Sequence, residues 1–473
     1  MMTMTDNKMK NKSATVLFRR RDTAVFLVTF SIIFATTFVG ADAFLSNVAA
    51  AAAKSSSNTL LKEASSYLDS IPMGPPDAIL GIAQAFKACD DPRKVNVCVG
   101  AYRDANGKPW ILPSVREAEK RMINEASETK EYLPIEGDTE FIQKALEFAY
   151  GSDTKKSLAG VQTLSGTGAC RVGGAFLSNF ISDKTSIYIP VPTWGNHWKI
   201  MSEAGLNTKP YRYYSRETNG LDYDGMIADL REAPDGSIIL LHACAHNPTG
   251  CDPSNEQWNE ICSLLKEKKH TAFFDSAYQG FASGDSERDA YALRLFVENA
   301  SDDIPVMLAQ SFAKNFGLYG ERCGTFSVVC SSEEQREKIM SQLRLIIRPM
   351  YSNPPKHGSS IVKTVLSDEK LTEQYYEECK SMANRIAEMR SKLVQTLKDA
   401  GSRHDWSHVQ NQIGMFAYTG MNEEMCRELT DKYAIFLTLD GRISVAGLNS
   451  GNVEYVAKAI HDITDGKSIK STK

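Results

Sequence analysis

Ser311-Phe312-Ala313-Lys314 places a lysine in a small apolar setting, where an ammonium group is seldom found. Burial favours the neutral amine and makes it a nucleophile. Two chemistries compete for this tetrapeptide. Ser-x-x-Lys can make Ser311 an acylating nucleophile, but that class also carries Ser-Asp-Asn and Lys-Thr-Gly, and neither occurs here. The alternative is a lysine that condenses with a carbonyl. Gly317-Leu318-Tyr319-Gly320-Glu321-Arg322 favours it, because Arg322 is near enough in sequence to share a phosphate with Ser311.

Other chemistry-bearing residues also close short apolar runs. Ser165-Gly166-Thr167-Gly168 follows Val161–Leu164 and precedes an expected helix over 169–177. Small residues at such a turn let backbone N–H groups approach a phosphate, and the helix dipole adds attraction. A tight turn with a helix cap fits equally well. It is not a Walker A loop, because no Gly-Lys-Ser/Thr ends it. Asp275 closes the run Thr271–Phe274, with Tyr278 three residues on. An Asp there is either a turn residue or a carboxylate that can hold a cationic ring nitrogen. Asn247, in His246-Asn247-Pro248-Thr249-Gly250, follows Ile238–Leu241; before proline it reads first as a turn.

The elements that must position these residues are legible. Short β-rich runs alternate with amphipathic helical runs, which implies an α/β domain with a mostly parallel sheet. Ile238–Leu241, Thr271–Phe274 and Val306–Ala309 read as buried strands. Asp252-Pro253-Ser254 starts a helix with Trp258, Ile261 and Leu265 at helical spacing. Polar residues thus gather at strand carboxyl ends, where open α/β sheets bind ligands. Towards the C-terminus a long helix carries Ile386, Met389, Leu393 and Leu397 and stops at Gly401. Short strands near 435–439 and 442–445 imply a smaller α+β domain. We divide the chain into a leader (1–60), an N-terminal segment joining the small domain (61–105), a large domain (106–380) and a small C-terminal domain (381–473).

The 473 residues are 42% hydrophobic and 24% charged, enough for a large core without staples. Net charge is −4, and the basic leader makes the rest more acidic still, so nucleic-acid binding is not expected. The ten cysteines form no CxxC pair and no Cys/His cluster with zinc spacing; they read as reduced thiols, and no metal is expected.

Phe18-Arg19-Arg20-Arg21 precedes the uncharged run 23–41, then Gly40-Ala41-Asp42-Ala43-Phe44 offers a small-x-small cleavage pattern. An Ala/Ser-rich, acid-poor stretch follows. This resembles the bipartite leader of algae whose plastid lies inside the secretory route. We expect a plastid destination and no membrane association in the mature chain. A mitochondrial address and an uncleaved anchor are the rivals, the run being near the lower length limit for a span.

From about 73 to 464 the chain resembles the class I, fold-type I pyridoxal-phosphate-dependent aminotransferases, the aspartate aminotransferases in particular. The matching motifs are Val99-Gly100-Ala101-Tyr102-Arg103, Glu131-Tyr132-Leu133-Pro134, Ser165-Gly166-Thr167-Gly168 and Pro192-Thr193-Trp194-Gly195-Asn196-His197. They continue through His246-Asn247-Pro248-Thr249-Gly250, Asp275-Ser276-Ala277-Tyr278, Arg348-Pro349-Met350-Tyr351-Ser352-Asn353-Pro354 and Gly441-Arg442-Ile443-Ser444. Cys323 departs from the aliphatic residue usual after the arginine.

The resemblance implies roles. Lys314 carries the cofactor and acts as the base, and Asp275, buttressed by His197, keeps the pyridine nitrogen protonated. Tyr278 and Asn247 bond the ring oxygen, and Trp194 stacks on the ring. Ser165, Gly166, Thr167, Ser311 and Arg322 take the phosphate, with Tyr132 from a partner subunit. Arg442, near Gly100 and Asn247, holds the α-carboxylate. Arg348 holds the side-chain carboxylate across a homodimer interface. The activity implied is ping-pong amino transfer between aspartate, glutamate and their keto acids. An aromatic or broad-specificity relative is the alternative.

Overall fold

The computed structural model describes residues 67–74, 80–125, 129–181, 186–301 and 304–467. The proposed leader, residues 1–60, lies outside them. The chain divides into two units, Met1–Pro75 and Pro76–Lys473. In the first, Tyr67–Gly74 contains one helical turn, closed by the Ser70 hydroxyl donating to the Tyr67 carbonyl at 2.6 Å.

The second unit carries strands β1 (Val95–Asn96), β2 (Ser157–Leu164), β3 (Ser186–Val191), β4 (Asn207–Arg212), β5 (Tyr214–Ser215), β6 (Gly220–Leu221), β7 (Ile238–His242), β8 (Thr271–Ser276), β9 (Val306–Ser311), β10 (Cys323–Cys330), β11 (Phe416–Tyr418), β12 (Ile435–Phe436) and β13 (Arg442–Ser444). A seven-stranded sheet has the order β2-β10-β9-β8-β7-β3-β4. Its β9-β8-β7-β3-β4 portion is parallel, whereas β10 runs against both β9 and β2.

The unbroken apolar run Ile238–Leu241 is explained by burial on both faces. Ile239 and Leu241 pack with Phe274 and Leu308 against helices that include Asn255–Glu267, while Ile238 and Leu240 join Phe273 and Phe326 under the helix Ser165–Phe180. The Asn255–Glu267 helix starts where its sequence signals place it. Ser254 caps it, and Gln257 completes the capping box.

One expectation shifts. The helix after β2 begins at Ser165 itself and includes the small residues that we read as a preceding turn. Ser165 bends the chain into it with φ +59°. Leu164 supplies no side-chain cap, so the first-turn N–H groups stay available to a ligand.

Early and late parts of the second unit meet in a third apolar cluster that joins Val95, Val97 and Val115 to Leu393, Ile435 and Ile460. β1 pairs in parallel with β12, and β11 pairs antiparallel with β13. The helix Glu369–Asp399 runs unbroken through position 380 and ends before Gly401, which has φ +86°. Among the described residues no helix is long and apolar enough to cross a membrane.

Candidate active site

The parallel strands deliver their last residues to one edge of the sheet. His242 ends β7, Asp275 lies near the end of β8, and Ser311 ends β9. Because β10 runs the other way, its first residues reach the same edge, and Arg322 sits just before them. One pocket is lined by Ser165, Gly166, Thr167, Trp194, Asn247, Asp275, Tyr278, Ser311, Lys314 and Arg322, all of them residues singled out from the sequence. His242, Cys244 and Ala277 also line it, and the sequence reading gave them no role.

At one end of the pocket the Ser165 and Ser311 hydroxyls lie 2.9 Å apart. Two glycines permit this approach. A Cβ on Gly324 would fall 2.4 Å from the Gln310 carbonyl oxygen and 2.9 Å from the Ser165 backbone. A Cβ on Gly166 would fall 3.2 Å from that of Ser311. Ser165 and Arg322 both hold left-handed backbone, with φ +59° and +53°. Such strain costs about 1–3 kcal/mol per residue and concentrates where a ligand must be gripped. Two hydroxyls, helix N–H groups and the Arg322 guanidinium make this end an anion cradle.

At the other end a chain of hydrogen bonds fixes where protons sit. The Asn247 N–H donates to His242 Nδ1 at 3.1 Å, so neutral His242 carries its proton on Nε2. Burial holds His242 neutral, with its pKa pushed down to about 3. Its Nε2–H therefore donates to Thr193 Oγ1 at 3.2 Å, and the Thr193 hydroxyl donates to His197 Nδ1 at 2.8 Å. His197 is left to donate Nε2–H to Asp275 Oδ2 at 3.1 Å.

Burial alone would raise the Asp275 pKa. The hydrogen bond from His197, with the pull of Lys314, outweighs burial and holds the carboxyl below its usual range. Cys170, His197 and Asp275 bring potential metal-ligand atoms within 4.8 Å of one another. The His197 nitrogen that faces Asp275 carries a proton, so it offers no lone pair to an ion. Thr193 and His242 were missed from sequence. His242 ends a strand as Asp275 does, and that was the available signal.

Between these ends stands Lys314. Burial and the neighbouring Arg322 lower its pKa, against the pull of Asp275. Burial raises the Tyr278 pKa, against the pull of Arg442. Trp194 packs edge-on to His197 at 5.2 Å between centroids. Arg442, 6% exposed, reaches Asn247 Oδ1 and the Cys98 carbonyl, each at 3.4 Å. Gly100 lies close to Phe416, which packs beside Arg442. Two predicted residues stand apart from the pocket. Tyr132 is 84% exposed, and Arg348 is exposed, its guanidinium donating to Ser352 Oγ at 2.8 Å.

Comparison with known proteins agrees with this geometry. Residues 92–460 match the family model for aminotransferase class I and II. The mitochondrial aspartate aminotransferase of Arabidopsis thaliana is 50% identical over 408 residues, covering 85% of this chain and 94% of that protein. The aspartate aminotransferase from Saccharomyces cerevisiae cytoplasm superposes with a TM-score of 0.82 at 44% identity, over 85% of this chain and 99% of that one. An aromatic-amino-acid aminotransferase from Burkholderia pseudomallei, covalently bound to pyridoxal phosphate, gives 0.80 at 38% identity, over 83% and 98%. With a motif-bearing pocket at the sheet edge and a match that spans most of its length, this chain belongs to the class I and II aminotransferase family.

Proposed function

We propose that this protein is an aspartate transaminase: it moves the amino group reversibly between aspartate and 2-oxoglutarate, giving oxaloacetate and glutamate. The observation that carries the reading is one pocket holding a partly desolvated lysine, an anion cradle and an ionised Asp275. Relatives near 50% identity that bear this name support the substrate.

The donor set fits pyridoxal phosphate. The Ser165/Ser311 hydroxyl pair, the helix N–H groups and Arg322 suit its phosphate. Asp275, acceptor-only when ionised, suits a protonated pyridine nitrogen. Tyr278 and Asn247 suit the ring oxygen, Trp194 the ring face, and Lys314 the aldehyde carbon. Tyr132 would add to the phosphate grip from a second subunit.

When bound, the cofactor supplies an aldehyde that links to amines and a ring that takes up electrons as the α-proton leaves. Lys314 Nζ takes that proton from the substrate α-carbon, and its lowered pKa keeps a neutral fraction for the task. Asp275 holds the proton on the ring nitrogen, and His197 keeps Asp275 ionised and oriented. Arg442 holds the α-carboxylate beside Asn247 and Gly100. Arg348 takes the substrate's second carboxylate, from across the interface of a homodimer. The exposure of Tyr132 and Arg348 supports a site completed by two chains.

Delivery to a plastid follows from the tandem signal and transit features of residues 1–60. The Arabidopsis relative bears a mitochondrial name, which makes the mitochondrion the rival organelle. Imaging a full-length fluorescent fusion decides between them.

Side-by-side rates with aspartate, glutamate and tyrosine test the activity. Aspartate and glutamate should exceed tyrosine by roughly two orders of magnitude, the discrimination expected when the wrong substrate leaves the Arg348 guanidinium without its carboxylate. Tyrosine as the preferred donor would overturn the reading.

A further inference from the structure

Arg442 is nearly buried, and among the described residues no carboxylate pairs with it. Its hydrogen bonds to Asn247 and Cys98 are long, at 3.4 Å each. An uncompensated buried charge is costly, so the guanidinium calls for a neighbour that holds it before an anion arrives. The structure supplies an aromatic face: the guanidinium carbon lies 4.3 Å from the centroid of the Phe416 ring. A cation over an aromatic face in a desolvated setting is attracted by the ring's negative face, and its N–H donors still point outward in its own plane.

The ring is itself fixed. Phe416 and Arg442 lie on paired strands, with Phe416 opposite Ser444 and Tyr418 opposite Arg442, so ring and guanidinium project from the same face of a two-stranded ribbon. The edge of the ring abuts Gly100, where a Cβ would come within 2.6 Å of Phe416 Cζ. The backbone is anchored from below. Arg390, 3% exposed, donates to the carbonyls of Val409 at 3.1 Å, Gly414 at 2.8 Å and Phe416. Phe416 is therefore packed between the Gly100 backbone and Arg442.

We propose that Phe416 is a positioning residue for the substrate's α-carboxylate: its ring pre-sets the plane of the Arg442 guanidinium, and Gly100 is small so that the ring can lie there. This rests on the reading of Arg442 as the α-carboxylate clamp, and it extends that site to a residue that contacts no reacting atom.

The test uses the cofactor-loaded enzyme and steady-state kinetics with aspartate and 2-oxoglutarate. F416L keeps apolar bulk and loses the π face. It should raise KM for both substrates roughly fivefold or more while kcat stays within about threefold. Replacing Phe416 with 2,6-difluorophenylalanine nearly keeps the shape, weakens the ring's negative face and puts no fluorine on Cζ or Cε1, the ring atoms nearest Gly100. It should give a smaller KM rise in the same direction, which a purely space-filling ring would not produce. In F416L/R442K the two effects should fall short of additive, because the ring acts through the guanidinium. If R442K raises KM and F416L does not, the positioning role is wrong and the clamp stands. If R442K leaves KM unchanged, the clamp reading itself is wrong. Equal loss of kcat and cofactor affinity in F416L, with KM unmoved, would reduce Phe416 to packing and overturn the proposal.

Discussion

His197 Nε2 stands 3.1 Å from Asp275 Oδ2, at the end of a one-way sequence of donors that starts at the Asn247 backbone N–H. The direction matters. His197 can present N–H to Asp275 because Thr193 occupies its other nitrogen as a donor.

Removing that donor should therefore change the charge state of Asp275. In His197→Leu, burial is left opposed only by the more distant charges, so the Asp275 pKa should rise. A group with a depressed pKa loses its ionised form as pH falls through that pKa, so the acid limb of the kcat/KM profile should move to higher pH. An unmoved limb would show that His197 does not govern Asp275. Asp275→Asn should lower kcat by roughly a hundredfold or more, the scale seen when one preorganised electrostatic group is lost.

Lys314 leaves a signature on the cofactor-free protein. Its pKa is lowered in the folded state, chiefly by burial. Between that lowered value and the ordinary lysine value the unfolded chain binds more protons, so native stability rises with pH across the window. Lys314→Met removes the buried amine. Urea unfolding of cofactor-free protein should find the variant's advantage over the parent greatest at low pH and shrinking as pH climbs towards the ordinary lysine value. An advantage that grows with pH would contradict the burial argument. Turnover by Lys314→Ala should be abolished.

Gly324→Ala tests the close approach that brings the two serines together. The new Cβ meets a backbone carbonyl oxygen at 2.4 Å, a neighbour that cannot rotate away. Overpacking of this kind costs about 1–3 kcal/mol. The melting temperature should fall, and affinity for pyridoxal phosphate, followed by absorbance titration, should fall with it. A fall in stability with affinity intact would separate the glycine from the cradle.

Arg348→Leu should reduce kcat/KM for aspartate by about two orders of magnitude and spare tyrosine, since an unpaired substrate carboxylate is costly only where one is present. Mixing Lys314→Ala with Arg348→Leu subunits tests whether two chains share a site. Random C2 dimers should regain about a quarter of the parent's sites. No regain would place Arg348 in its own subunit's site or outside it.

Much of this was readable before the fold. Ile238–Leu241 announced a doubly covered strand, and Ser254 with Gln257 announced a helix start. Asp275, Ser311 and Lys314 stood out as polar residues closing apolar runs. The roles of Arg348, Arg442 and Tyr132 came from resemblance to a family, because a lone arginine or tyrosine has no local signature. What the sequence did not reveal depends on contacts distant along the chain. Thr193 links two histidines that lie on different elements, and Phe416 meets Gly100 only after segments far apart in the chain have joined one cluster. The helix start at Ser165 was also missed, since left-handed backbone is not expected of a serine.

The reversal of β10 has a last consequence. A parallel successor to β9 would require a crossover helix, and the next residue at the ligand edge would lie far along the chain. With β10 reversed, one loop leaves Ser311, passes Lys314 and returns at Arg322. The nucleophile and a cation that adds to burial in lowering its pKa are thus carried on one short tether. Any displacement of that loop moves both together, so their spacing is protected from slippage between the sheet and its surrounding helices.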